Sequence, residues 1–231
     1  SAALGAADRP NIVFVLFDDM GYGQPKSYRG DSGFKTPSID RLAKEGLRFT
    51  DAHSAAANCT PTRYGVLTGR YPARIGQFGV LKTYSPPIIP KTRLTVASFL
   101  KAQGYHTACI GKWHLGADFE RTPKNAKPEK SKRGASWQVD YSKPFKNGPV
   151  DVGFDEAFFI LSSLDMAPYL YLRNNQAVSL PTVNKGFPHN EYNKYQRIGA
   201  AAADFEASDC LADWASESRD YIKRRAKDKK K

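Results

Sequence analysis

The first regular feature of the chain is a continuous apolar run at positions 11–17, which reads Asn-Ile-Val-Phe-Val-Leu-Phe. A run of this length, rich in β-branched and aromatic residues, favours a strand over a helix. Because the run lacks polar alternation, we predict a strand buried on both faces, as in a parallel sheet. Further strands are predicted at residues 47–50, 105–110 and 158–160, and a strand with a turn at residues 169–174.

Apolar residues at helical spacing lie between these runs and predict four helices. The first three begin at Pro37, at Cys59 and after Thr95, and end at Gly46, Gly69 and Gly104, which are typical helix-stop residues. The fourth is predicted over residues 205–227. The apolar faces are Ile39, Leu42 and Ala43, then Val96, Phe99 and Leu100, then Leu211, Trp214, Tyr221 and Ile222. This alternation predicts an α/β fold, a mostly parallel sheet flanked by helices.

The net charge of +12 is concentrated in two short segments. Residues 219–231 hold eight Lys or Arg against two Asp, and residues 121–133 hold six against one Glu, so the two segments supply 11 of the 12 charges. Such runs are typical of solvated loops and helix ends, so we do not expect a nucleic-acid partner. No apolar run is long enough to span a membrane. The polar stretches 117–150 and 184–199 are expected to be loops.

Three cysteines cannot form a complete disulfide framework. Cys109 lies in an apolar run and Cys210 in a helical pattern, so we expect both to be buried structural thiols. The chain starts with small residues, Ser-Ala-Ala-Leu-Gly-Ala-Ala, which resemble the end of a removed export signal. Residues 1–10 are therefore interpreted as a flank, and the protein is expected to be exported, to a periplasmic or extracellular location.

Two carboxylates, Asp18 and Asp19, follow the predicted strand at 11–17 directly. Ligands bind at the carboxyl ends of strands in open α/β sheets. Adjacent hard oxygen donors, with Gly21 and Gly23 next to them to permit a tight turn, suit Ca²⁺ or Mg²⁺. The alternative is an aspartate pair that merely opens a loop.

The segment Cys59-Thr60-Pro61-Thr62-Arg63 is predicted to open a helix, with Pro61 in its first turn. Cys59 would then lie beside the unpaired backbone N–H groups and the positive end of the helix dipole, which together favour an anion. Arg63, four residues on, lies one turn above Cys59 on the same face. A guanidinium at that place suits a tetrahedral oxyanion. The alternative is that Cys59 is a small apolar residue at a helix start.

A second segment, Gly-Lys-Trp-His-Leu-Gly at 111–116, follows the strand predicted at 105–110. Lys112 and His114 are two residues apart, so in an extended chain their side chains project to the same side. An ammonium and an imidazole directed at one anion are chemically sensible. The alternative is an ordinary strand end at the surface.

These two segments together resemble the signatures of the type I sulfatases, whose fold is of the alkaline-phosphatase type. The resemblance implies that Cys59 is converted to a formylglycine, by a formylglycine-generating enzyme, and that the hydrated aldehyde is the nucleophile. It further implies that Asp18 and Asp19, with residue 59, bind a metal, usually calcium, that holds the substrate sulfate. Lys112 would contact sulfate, His114 would orient or deprotonate the hydrate, and Ser163 would lie near the substrate. The substrate would be a sulfate ester, including sulfated glycans.

The resemblance covers about the first half of a typical sulfatase. In the family a later Asp-Asn pair completes the metal site, and no Asp-Asn dipeptide occurs here. We therefore expect residues 11–231 to be a partial sulfatase domain, incomplete at its C-terminus and inactive alone if the missing residues are essential. Three other functions stay open: a phosphatase or phosphodiesterase of the same superfamily, a sulfated-glycan-binding module without turnover, and a Cys–His hydrolase.

Overall fold

The structure is a computed structural model that describes residues 9–122, 138–186 and 197–228. Contacts within the chain divide it into two compact units, Ser1–His53 and Ser54–Lys231. The flank expected at 1–10 and the basic segment 121–133 lie mostly outside the described residues. Within the described residues, no helix has the length and apolar content that crossing a bilayer would demand.

The second unit is built on a four-stranded mixed sheet. Its strands, in spatial order, are β1 (Ala108–Lys112), β2 (Glu156–Ile160), β3 (Leu172–Arg173) and β4 (Gln176–Ala177). β1 and β2 are parallel, with Lys112 opposite Ile160, and the remaining pairs are antiparallel. Because β1 and β2 run in the same direction, the residues that follow them emerge at the same edge of the sheet.

The strand predicted at 105–110 begins three residues later than expected. Thr107 lies just before β1, where its side chain and amide bond the Asp155 carboxylate at 3.0 and 2.9 Å and its carbonyl accepts from the N–H groups of Asp155 and Glu156. The run at 158–160 is confirmed within β2. The predicted turn is confirmed at Asn174, whose φ of 54° suits a two-residue hairpin between β3 and β4.

A second, two-stranded sheet pairs β5 (Pro181–Lys185) with β6 (Gly199–Ala202) in antiparallel fashion. The loop expected at 184–199 is therefore wrong at both of its ends, and residues 187–196 lie outside the described residues. All four residues of β6 are buried. Their small side chains permit the close packing that polarity alone did not predict.

The core of the second unit is formed by β2, by the residues that follow β1 and β2, and by β6. Its most completely buried large side chains are Tyr64, Leu115, Phe159, Leu161, Tyr169, Leu170, Leu172 and Phe205. Three aromatic rings pack in sequence against it, with Phe119 stacked on Phe145 and Phe145 edge-on to Phe159. This core fixes the carboxyl ends of β1 and β2, where the candidate site lies.

Three helices of the second unit confirm predicted helices: α2 (Cys59–Thr68), α3 (Val96–Ala102) and α4 (Cys210–Lys227), although α4 begins later than the predicted start at 205. Thr95 caps α3 through a reciprocal bond with Ser98. The predicted apolar faces are wrong in part, because Phe99 is 50% and Leu211 74% exposed. The end of α4 contacts the sheet mainly through polar groups, since Tyr221 bonds His106 and Arg224 bonds Glu156.

The first unit contains one described helix, α1 (Pro37–Glu45), which confirms the prediction of a helix there. None of its residues is buried, and Leu42 is 66% exposed. The strands predicted at 11–17 and 47–50 are wrong for the structure as described, because neither segment belongs to a sheet. Val13 and Phe14 are 70% and 67% exposed. A strand requires partners for its backbone, and neither sheet of the described residues supplies them.

Candidate active site

Helix α2 begins at Cys59, as the sequence predicts. Asn58 precedes it in an extended conformation and makes no side-chain capping bond, and Gly69 ends the helix in the left-handed conformation. The helix lies close to the small residues before it, because a Cβ on Gly65 would approach Ala55 Cβ to 2.5 Å. Cys59 is a free thiol, half-buried at the positive end of this helix.

Arg63 connects this helix to the end of β1. Its Nη1 donates a hydrogen bond of 2.6 Å to the backbone carbonyl of Lys112. The guanidinium is therefore held where the sheet edge meets the first turn of α2. The two signature segments, although 49 positions apart at this bond, form one site in the second unit.

Lys112 is the last residue of β1, and its ammonium lies 3.3 Å from Ser163 Oγ. Ser163 follows β2 by three residues, so the parallel pairing of β1 and β2 brings the two side chains together. Ser163, which the sequence supported only through the resemblance, thus contacts a second predicted site residue. An ammonium and a hydroxyl at this place can both bind an anionic oxygen.

His114 is buried, with 2% of its surface exposed. Its backbone N–H donates to the carbonyl of Leu161 at 2.9 Å, which continues the alignment of β1 with β2. Its φ is 55°, however, so the chain is not extended here. The premise that Lys112 and His114 project to one side of an extended segment is therefore wrong, and the two side chains are placed by separate contacts.

The His114 imidazole is held by one ring nitrogen. Nε2 lies 2.9 Å from the carbonyl of Leu81, while the buried Nδ1 has no hydrogen-bond partner among the described residues. Burial lowers the pKa of His114, and the neighbouring cations Lys112 and Arg63 act in the same direction. The bond to Leu81 and the charge of Asp165 oppose this shift. The ring is therefore favoured in its neutral form.

Cys109, in β1, is a free thiol whose pKa burial raises to about 12, with the charge of Arg63 acting against that shift. Cys109 is only half-buried by its exposed surface, whereas Cys210 is buried, and burial raises the pKa of Cys210 too. Both cysteines are thus protonated at neutral pH, which agrees with the structural role expected for them.

Asp18 and Asp19 belong to the first unit, where both are exposed and Asp19 has a φ of 61°. Their carboxylates have the donor chemistry that calcium requires, but calcium takes about six to eight oxygen ligands. No group of three or more His, Cys, Asp or Glu in the described parts of the chain could hold a metal ion. The ligand roles of Asp18, Asp19 and Cys59 therefore stay predictions.

Sequence reasoning missed two residues of the site, Thr60 and Leu81. Thr60 is completely buried, and its hydroxyl donates to the His114 carbonyl at 2.8 Å. The backbone of Leu81 contacts both Thr60 and the His114 ring. Thr60 stands next to Cys59, which is the only local signal; nothing in the sequence marks Leu81.

The sulfatase family model matches residues 10–163, which include every predicted site residue. The chain belongs to the sulfatase family. It is 34% identical over 174 residues to the N-acetylgalactosamine-6-O-sulfatase of Bacteroides thetaiotaomicron, an alignment covering 75% of this chain and 31% of that protein. It is 48% identical over 117 residues to arylsulfatase A of Bos taurus, covering 50% of this chain and 23% of that enzyme.

Solved structures confirm the α/β, alkaline-phosphatase-like fold of this sulfatase. One, described under the metabolism of multiple glycosaminoglycans by Bacteroides thetaiotaomicron, aligns with a TM-score of 0.75 and 27% identity. The alignment covers 95% of this chain and 49% of that one. Ps i-CgsB in complex with k-i-k-neocarrahexaose aligns over 92% of this chain with a TM-score of 0.59 and 20% identity, a likeness of fold alone. The chain spans about half or less of the length of each of these relatives.

Proposed function

We propose that this sulfatase hydrolyses sulfate monoesters by means of a formylglycine made from Cys59. The observation that carries the proposal is the convergence of Arg63, Lys112, His114 and Ser163 on the edge of the sheet next to the start of α2. Cations and hydroxyl donors fixed beside a helix N-terminus suit a sulfuryl group, whose charge is spread over its oxygens.

When hydrated, a formylglycine at position 59 would supply one hydroxyl for attack on sulfur, with the ester alcohol as the leaving group, and a second hydroxyl whose deprotonation restores the aldehyde and releases sulfate. Arg63 and Lys112 offset the negative charge that develops on the sulfuryl oxygens, because both are held by the fold before substrate arrives. His114, neutral and with a bare Nδ1, accepts the proton or hydrogen bond of a hydroxyl at that atom. Ser163 keeps the Lys112 ammonium in place and donates to the same anion.

A divalent cation, calcium or magnesium, would polarise the sulfuryl group, with Asp18, Asp19 and the modified Cys59 as part of its ligand set. No step of the mechanism is derived through the cation. The names of the relatives favour a sulfated carbohydrate or an aryl sulfate as the substrate. A formylglycine-generating enzyme would be the maturation partner, and the location would be periplasmic or extracellular.

The proposal is tested by turnover of an aryl sulfate and an aryl phosphate by the full protein, coexpressed with a formylglycine-generating enzyme. We expect sulfate release, little phosphate release, and loss of sulfate release in Cys59→Ala. Cys210→Ala is the matched control, because Cys210 bonds Tyr171 and Glu206, away from the site. Phosphate release that equals sulfate release would favour a phosphatase. Glycan binding without any sulfate release would favour a binding module.

A further inference from the structure

Thr60 forms a hydrogen-bonded link between the three segments of the candidate site. Its side chain is completely buried, with 0% of its surface exposed. The hydroxyl donates to the His114 carbonyl at 2.8 Å and accepts from the Leu81 N–H at 3.2 Å. A hydroxyl has one proton and two lone pairs, so these two bonds use its donor and one acceptor position.

The two hydrogen-bond partners of Thr60, Leu81 and His114, also bond each other. Leu81, whose N–H binds Thr60, accepts a hydrogen bond at its carbonyl from the His114 ring at 2.9 Å. Thr60, Leu81 and His114 thus form a closed triangle of three hydrogen bonds. A shift of any one of the three segments disturbs the bond that orients the imidazole.

This triangle determines which nitrogen of His114 carries the proton. A carbonyl oxygen only accepts hydrogen bonds, so the nitrogen that faces Leu81, Nε2, must be the protonated one. Burial lowers the pKa of His114, which favours the neutral ring, and in that ring Nδ1 keeps its lone pair. Nδ1 is buried without a partner among the described residues, which is the expected state of an acceptor reserved for a ligand.

The backbone of His114 needs external support as well. A φ of 55° is uncommon for a residue with a Cβ and persists where surrounding bonds impose it. The N–H of His114 bonds the Leu161 carbonyl and its C=O accepts from Thr60. Thr60 therefore supplies one of the two backbone bonds that hold this conformation.

We propose that Thr60 is a positioning residue, which holds the His114 imidazole in the Nε2–H form with Nδ1 bare as the acceptor. The use of Nδ1 in turnover, where it accepts a proton or hydrogen bond from the hydroxyl at residue 59, rests on the proposed function. The hydrogen-bonded arrangement itself does not. Because Thr60 adjoins Cys59 on the first turn of α2, it also fixes the spacing between the reacting group and the ring.

The test is ¹⁵N NMR of the histidine ring nitrogens in the 231-residue chain, with His114 assigned by its absence in His114→Gln. We expect a protonated Nε2 and a bare Nδ1 in the wild-type protein. Thr60→Val, which keeps the shape of the side chain but removes the hydroxyl, should lose this single form and show exchange between the two tautomers. Thr60→Ser, which retains the hydroxyl, should restore it.

A protonated Nδ1 in the wild-type protein would overturn the inference without any variant, even if Thr60→Val failed to fold. An unchanged His114 spectrum in a folded Thr60→Val would overturn it too. In the matured full protein, we expect Thr60→Val to lower kcat about tenfold with little change in KM, a smaller loss than removal of an acid–base group. Absence of all turnover together with the expected NMR result would contradict the proposed function and leave this arrangement intact.

Discussion

Two apolar runs of similar composition differ in burial: one forms a buried strand, and the other is exposed and forms none. Phe159, in β2, is completely buried, whereas Phe14, in the run at 11–17, is 67% exposed. β2 has β1 on one side and β3 on the other, so its backbone groups are paired and its side chains covered. The run at 11–17 belongs to neither sheet of the described residues. Apolar composition therefore predicts the capacity to form a strand, and partners distant in sequence decide whether one forms.

The sharpest way to test this contrast is a matched pair of Phe→Ala substitutions. Phe159→Ala should lower the free energy of unfolding by about 3–5 kcal/mol, because it removes a large side chain from a close-packed core. Phe14→Ala should change it by no more than about 0.5 kcal/mol, as is usual for an exposed position. Urea denaturation measures both values. An equal cost at Phe14 would mean that the run is buried in solution.

A second comparison, within the second unit, is between a lysine of the candidate site and a lysine on the exposed surface. Lys112→Met should lower kcat for an aryl sulfate about a hundredfold or more in the matured full protein, because it removes a preorganised cation from the developing charge. Lys82→Met is the control, since Lys82 is exposed and should leave kcat within twofold, a difference of about 0.4 kcal/mol. Steady-state kinetics distinguishes the two, and similar losses in both variants would contradict the assigned role.

A smaller effect on the free energy of unfolding is expected at the first residues of two helices, α1 in the first unit and α3 in the second. Thr95 caps α3 and also donates to the Val152 carbonyl at 2.6 Å, and it is almost fully buried. Thr36 precedes α1 without a capping bond to the helix backbone, and its hydroxyl instead contacts the Asp40 carboxylate and accepts from the Lys26 N–H at 3.2 Å. Thr95→Ala should therefore cost about 1–2 kcal/mol of unfolding free energy. Thr36→Ala should cost less, about 0.5 kcal/mol, because the bonds it loses join polar groups that water can still reach.

Thermal and urea unfolding of the two Thr→Ala variants provide the measurement. A cost at Thr36 that matches the cost at Thr95 would show that α1 is supported by this threonine as strongly as α3 is by its cap. We expect Thr95→Ala to lower the free energy of unfolding more than Thr36→Ala does.

Local signals in the sequence predicted the elements that place the site. Gly69 ends α2, Thr95 caps α3, and Asn174 forms a turn, because each depends on contacts with residues close in the chain. The family signatures likewise predicted Arg63, Lys112 and His114 as neighbours in one site. The sequence does not predict contacts between residues that are far apart along the chain.

The contacts it did not predict join distant positions. Thr60 and His114 are 54 positions apart, and Leu81 and His114 are 33 apart, so no local pattern specifies them. The left-handed conformation of His114 was missed for the same reason, since external bonds hold it. The exposure of Phe99 and Leu211 shows that an apolar helical face predicts a helix more securely than it predicts burial.

The account depends most directly on the chemistry of residue 59. Mass spectrometry of the peptide that contains this residue, from protein coexpressed with a formylglycine-generating enzyme, measures that chemistry without reference to any substrate. We predict the mass of the aldehyde at position 59, with Cys109 and Cys210 unmodified. A thiol at position 59 under these conditions would contradict the proposed mechanism.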